Sequence, residues 1–168
     1  MSAGTWASTM QFMEPGAGSV TLRRTTRKDG WAVADLLIRS RRASAGSIPA
    51  AIHSDAEIQE WVEVEVIAHR EVWAAIDTGD RALAVMVLDD GWIDQLYVDP
   101  AWTGKGLGSR LVELAKSRCP EGLQLWTFAS NIDAQRFYER HGFVVVEATD
   151  GSGNEEKQPD LRLVWPAA

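Results

Sequence analysis

The chain has 168 residues of ordinary globular composition, enough for one domain with a sizeable core. Its net charge of -7 argues against a nucleic-acid partner and suits a cationic substrate, though solubility alone explains it as well. A lone Cys119 cannot close an internal disulfide, no stretch is long enough to span a membrane, and the N-terminus lacks an export pattern, so a cytoplasmic protein with no membrane partner is expected.

Residues 1–18 mix Gly, Ser, Ala and Pro without a period and read as a flexible arm, leaving a single domain over residues 19–168. Val20 and Leu22 alternate in a first strand over Ser19–Thr25. Thr26 and Asp29 are spaced as a capping box for a helix that carries Trp31, Val33, Leu36, Leu37 and Ser40 toward Arg42. Arg39, Arg41 and Arg42 could hold an anion, but a charge run at a helix end is more often solvated and dipole-matched, and they are read as such an end. After the break at Ala43–His53, Ser54 and Glu57 cap a second helix through Ile58, Trp61, Val62 and Val66, although the Val62, Val64, Val66 alternation also permits a strand. Glu71–Asp77 and Arg81–Leu88, parted by Thr78-Gly79-Asp80, form a hairpin, and a turn at Asp89-Asp90-Gly91 leads to a third antiparallel strand.

That third strand opens the stretch Gly91–Arg118. Trp92, Asp94, Leu96 and Val98 fall on one face of a period-two strand, Ile93, Gln95 and Tyr97 on the other, and Asp99-Pro100 ends it. Gly104, Gly106 and Gly108 then precede a helix whose stripe is Leu107, Leu111, Leu114 and Ala115. Glycines at a helix N-terminus leave free N–H groups and the positive dipole end open to a phosphate or pyrophosphate. The Walker loop fails because Gly106 stands where Ser or Thr is required, and the dinucleotide fingerprint fails at Ser109.

Gly122–Phe128 reads as a strand after a crossover helix, hence parallel to the strand at 91–98. Asn131 caps the next helix, with Asp133 in its first turn and Gly142 after its last, and Phe143–Thr149 and Leu161–Trp165 form a closing hairpin around the polar loop Asp150–Asp160. His53, His69, His141 and Cys119 show no paired ligand spacing, so no metal is expected, and no Gly-x-Ser-x-Gly elbow is present.

Two windows, Thr103-Gly104-Lys105-Gly106-Leu107-Gly108 and Asn131 to Phe143 with its Asn, Ala, Phe-Tyr and Gly-Phe in register, resemble the GNAT acetyltransferase superfamily over roughly residues 19 to 165. Thr103 stands where the superfamily pattern has Arg or Gln. The resemblance implies an α/β (α+β) domain of GNAT fold: a mixed, mostly antiparallel sheet flanked by helices, its strands at 91–98 and 122–128 parallel and splayed. It implies acetyl-CoA as cofactor, held by Leu96, Tyr97, Val98, Thr103, Gly104, Lys105, Gly106, Leu107, Gly108, Ser109, Asn131, Ala134, Phe137 and Tyr138. The implied partner is a primary amine of a small molecule or peptide; a homodimer is left open. His53, Asp94 and Trp126 are candidate acceptor contacts, with Ala43–Ile58 and Asp150–Asp160 as pocket walls.

Amine attack on a thioester needs a base, a stabilised oxyanion and a proton for the departing thiolate. Asp94 is the candidate base, directly or through water, with Asp90 as the fallback; a carboxylate paired with an arginine is the competing reading of Asp94. Tyr138 is the candidate acid by resemblance, since a tyrosine taken alone is as well explained by packing. The rival reading of the whole chain is an acyl-CoA-binding or sensing domain without turnover.

Overall fold

The computed structural model describes residues 9–13 and 19–166. Its eight strands form one sheet: β1 (Thr9–Met13), β2 (Ser19–Arg24), β3 (Glu71–Ile76), β4 (Ala82–Asp89), β5 (Trp92–Val98), β6 (Gly122–Phe128), β7 (Val144–Thr149) and β8 (Asp160–Pro166), in the order β1-β2-β3-β4-β5-β6-β8-β7. Every neighbouring pair is antiparallel except β5 and β6. The helices are α1 (Gly30–Ala43), α2 (Asp55–Trp61), a π-helical turn Val62–Val66 running into α3 (Ile67–His69), α4 (Leu107–Arg118) and α5 (Ile132–Arg140). No helix among the described residues is long and apolar enough to cross a membrane.

Local chemistry accounts for most boundaries. Asp29 accepts from the Thr26 amide at 2.7 Å ahead of α1, and Ser54 and Glu57 close a reciprocal cap on α2, at 2.7 and 3.3 Å. The β3–β4 turn is organised by Asp77, whose carboxylate accepts from the Gly79 and Arg81 amides at 2.8 and 3.0 Å. Val62 and Val66 are fully buried while Val64 is exposed, which settles that segment as helical rather than extended.

Two apolar clusters sandwich the sheet. One gathers β4, β5, β6 and β8 residues against Leu107, Leu111, Val112 and Ala115 of α4 and Tyr138 of α5; the other packs α1 and the Val62–Val66 turn on Val72, Ala74, Val85 and Val87. The middle strand β4 is buried on both faces, so it reads as a continuous apolar run rather than an alternating one.

Three sequence expectations change. Residues 9–13, read as part of an arm, form β1 by pairing antiparallel with β2 from Thr9↔Arg23 to Met13↔Ser19; backbone ladders need no side-chain period, so the pattern is silent there. The rest of the 1–18 arm lies outside the described residues. The faces of β5 do not alternate throughout: Val87 pairs with Gln95 and Leu88 with Ile93, so Asp94 is the extra residue of a β-bulge. The bulge shifts the phase and puts Ile93 in the same cluster as Leu96 and Val98. Finally, Arg39 is not a solvated helix end, since it binds Asp35 at 2.7 Å and the buried Asp99 at 2.5 Å.

Candidate active site

β5 and β6 share a single ladder pair, Trp92↔Gln124, and then separate. The edge of β5 that faces β6 beyond this pair has no strand to bond, and the gap opens into a cleft of about 1470 Å³. Its walls include Leu96, Tyr97, Val98, Thr103, Gly104, Gly106, Leu107, Gly108 and Ser109 from β5 and the glycine turn, and Asn131, Ala134, Phe137 and Tyr138 from α5. Lys105 is not in the lining; its ammonium lies 4.5 Å from the Trp102 ring centroid.

Gly106 is the N-cap of α4 at φ 84, and a Cβ built there would meet nothing within 4 Å. The turn is therefore left-handed and open above the helix N-terminus, as a phosphate needs. Gly108 has a different requirement: a Cβ there would come within 3.2 Å of Phe137, so its lack of a side chain lets α4 and α5 approach. Asn131 accepts from the Ala134 amide at 3.2 Å and caps α5. Arg136 and Arg140, one turn apart on α5, line the cleft and make no ion pair among the described residues. They supply cationic donors that Thr103 cannot.

Tyr138 is buried, with Phe137 and Phe143 edge-on at 5.1 and 5.4 Å, and its phenol has no hydrogen-bond partner among the described residues. Burial, with a smaller contribution from Tyr97, raises its pKa and keeps it protonated.

On the other side of the splay, Asp94 projects from the bulge into the cleft and is held by Arg70, which also reaches Asp89 at 3.6 Å. Trp126 lines the cleft and is 42% exposed. His53 is not in the lining; it meets Glu155 at 3.3 Å on the surface. Arg41 of α1 does line the cleft, donating to the Tyr97 hydroxyl at 3.3 Å and to Glu156 of the β7–β8 loop at 3.4 Å. Sequence reading did not name Arg136 and Arg140 as cleft residues or Arg70 as the partner of Asp94, and it placed Arg41 on a solvated helix end rather than in the cleft wall. A helical projection could have flagged Arg136 and Arg140 beside Phe137, whereas Arg41 and Arg70 depend on pairings between distant elements.

The open αL glycine, the helix N-terminus and the two unpaired guanidiniums together fit a cofactor bearing several phosphates. A family model described as the acetyltransferase (GNAT) family matches residues 38–143, more than half of the chain. The peptidyl-lysine N-acetyltransferase YjaB of Salmonella typhimurium is 28% identical over 147 residues, 88% of this chain and 99% of that protein. The solution structure of apo YjaB from Escherichia coli superposes with a TM-score of 0.70 at 26% identity, covering 89% of this chain and 99% of that one. At 19% identity, PaiA N-acetyltransferase from Thermoplasma acidophilum, solved with coenzyme A, shares the fold with a TM-score of 0.63 over 88% of this chain and 98% of that one.

Proposed function

Since this chain belongs to the GNAT family of acetyltransferases, we propose that it transfers an acetyl group from acetyl-CoA to a primary amine of a small molecule or peptide in the cleft between β5 and β6. The observation that carries the proposal is the splay itself, which leaves a backbone edge unpaired between an anion-binding turn and a buried, protonated tyrosine. When bound, the cofactor supplies an activated acyl group and a thiolate leaving group.

The chain's residues have separate tasks. Gly104, Gly106 and the first amides of α4, with Arg136 and Arg140, hold the phosphates. The free edge of Leu96, Tyr97 and Val98 binds the extended arm, and Asn131, Ala134 and Phe137 form the opposite wall. Tyr138 holds a proton for the departing sulfur. Asp94 keeps one carboxylate oxygen bound to Arg70, which leaves the other to accept the amine's proton through water. The relatives named for peptidyl-lysine support an amine nucleophile, and the free Cys119 suits a reducing, cytoplasmic setting.

Thiol release from acetyl-CoA with a panel of amines tests the reading, and the expected result is amine-dependent turnover that falls about 10²-fold in Asp94→Asn. Cofactor binding with no release above the uncatalysed rate would sink it. Gly106→Val is expected to leave the domain folded, with left-handed strain of about 1–2 kcal/mol, and to raise the acetyl-CoA Kd at least about tenfold by closing the open space above α4. An unchanged Kd by calorimetry would remove the turn from the site.

A further inference from the structure

Nε of Arg41 is fully buried and lacks any hydrogen-bond partner among the described residues. Its other two contacts are long for a guanidinium, 3.3 Å to the Tyr97 hydroxyl and 3.4 Å to Glu156, where charge-assisted bonds run nearer 2.7–2.9 Å. Arg39, two residues earlier on the same helix, binds Asp35 at 2.7 Å, Asp99 at 2.5 Å and the Ala82 carbonyl at 3.2 Å. An arginine kept in a cleft wall at 20% side-chain exposure with a donor unsatisfied bears a desolvation cost that a ligand can relieve.

Of the carboxylates in the same wall, Glu156 has only its long contact to Arg41, and three others already have closer partners. Asp94 is bound by Arg70, Glu147 by Arg162 at 2.8 Å, and Asp160 accepts from Thr149 and, at 3.0 Å, from Asn154. Asp133 is exposed in the first turn of α5, where the helix end stabilises it. A cationic group on the acceptor would compete with Arg70 or Arg162 or be left to the exposed Asp133, whereas an anionic group would complete Arg41.

We infer that the acceptor is an amine of the amino-acid class, carrying a carboxylate that binds the Arg41 guanidinium in a fork with help from the Tyr97 hydroxyl. Glu156, reaching in from the β7–β8 loop at long range, stands in for that carboxylate in the free protein and gives way to it. Tyr97 also lies close enough to Tyr138 to perturb its titration, so the carboxylate site and the proposed acid share a neighbour. The exposed indole of Trp126 offers the acceptor's side chain an apolar surface in the same cleft. This inference rests on the reading of the cleft as an acetyl-transfer site.

The test compares the common L-amino acids with their carboxamides and their decarboxylated amines, by thiol release with acetyl-CoA and by saturation-transfer NMR binding. At least one free acid is expected to exceed its amide in kcat/KM by about 10- to 10²-fold, the range of a charge-assisted contact. In Arg41→Gln that ratio should collapse toward unity while the acetyl-CoA Kd holds. Glu156→Gln, which removes the internal competitor, should lower KM for the same acid, an effect opposite in sign to what a merely structural contact would give. No acid preferred over its amide, including turnover confined to peptidyl-lysine or polyamines, overturns the inference, as does a preference that survives Arg41→Gln. If no amine yields thiol, the transfer reading fails, and the NMR arm decides the carboxylate site alone: acid-selective binding lost in Arg41→Gln supports it, and equal binding of acid and amide overturns it.

Discussion

In a Tyr138→Phe variant, kcat is expected to fall by about 10²–10⁴-fold, the usual contribution of a positioned acid, while acetyl-CoA affinity and Tm stay near wild type. The substitution keeps the ring that packs on Phe137 and Phe143 and removes only a hydroxyl with no hydrogen-bond partner among the described residues, so folding has little to lose. Burial, and to a smaller degree Tyr97, holds the phenol above its ordinary pKa of 10.0. Activity should therefore show no alkaline loss from this group below about pH 10. If kcat in Tyr138→Phe stayed within about twofold, a few tenths of a kcal/mol, the tyrosine would be packing and the thiolate proton would have to come from water.

Asp99→Ala is expected to cost about 2–3 kcal/mol, short of the 3–5 kcal/mol for breaking a fully enclosed pair because Arg81 reaches water. The carboxylate is 3% exposed and accepts from the Ala101 amide at 2.9 Å, Arg39 at 2.5 Å and Arg81 at 2.8 Å, which ties α1 and the start of β4 to the entrance of the glycine turn. Burial pushes this carboxyl's pKa up, but the Ala101 amide and the two guanidiniums outweigh it, so the net shift is downward from the ordinary 3.8. A group depressed on folding stabilises the folded state in full above its unfolded value, and that stability is lost as pH falls through the folded value. A Tm lower by about 4–12 °C near neutrality, from the usual 2–4 °C per kcal/mol in chains of this size, should therefore narrow toward wild type below pH 3.8. A gap that persisted unchanged into strong acid would show that the loss comes from something other than the ionised carboxylate.

What the sequence made legible was local. Caps at Thr26, Ser54 and Asn131, the Asp77 turn and the glycines before α4 each act within a few residues, so their spacing carries the physics. The parallel pairing of β5 and β6 followed from the crossover between them, a rule of chain handedness rather than of particular side chains. What stayed hidden depended on distant partners. The bulge at Asp94 is defined by its register against β4, the Arg39–Asp99 pair spans 60 residues, and β1 exists because β2 offers it an edge. The cleft could be anticipated at the glycine turn where helix α4 begins and at the wall Asp150–Asp160, but not the meeting of Arg41 with Glu156, which are 115 positions apart and come together only once the sheet is assembled.

The single ladder pair between β5 and β6 also divides the molecule's cooperativity. Strands β1 to β5 form one antiparallel unit and β6, β8 and β7 another, joined within the sheet by Trp92 and Gln124 and otherwise by the helices that pack across them. Such a seam lets two foldons open with different free energies instead of unfolding as one. A ligand seated in the seam bonds to both units at once and binds neither when they are parted, so its concentration enters the folding equilibrium directly, adding RT ln(1 + [L]/Kd) to stability. On the proposed reading of the gap as the acetyl-CoA site, cofactor supply becomes a determinant of how long the folded chain persists.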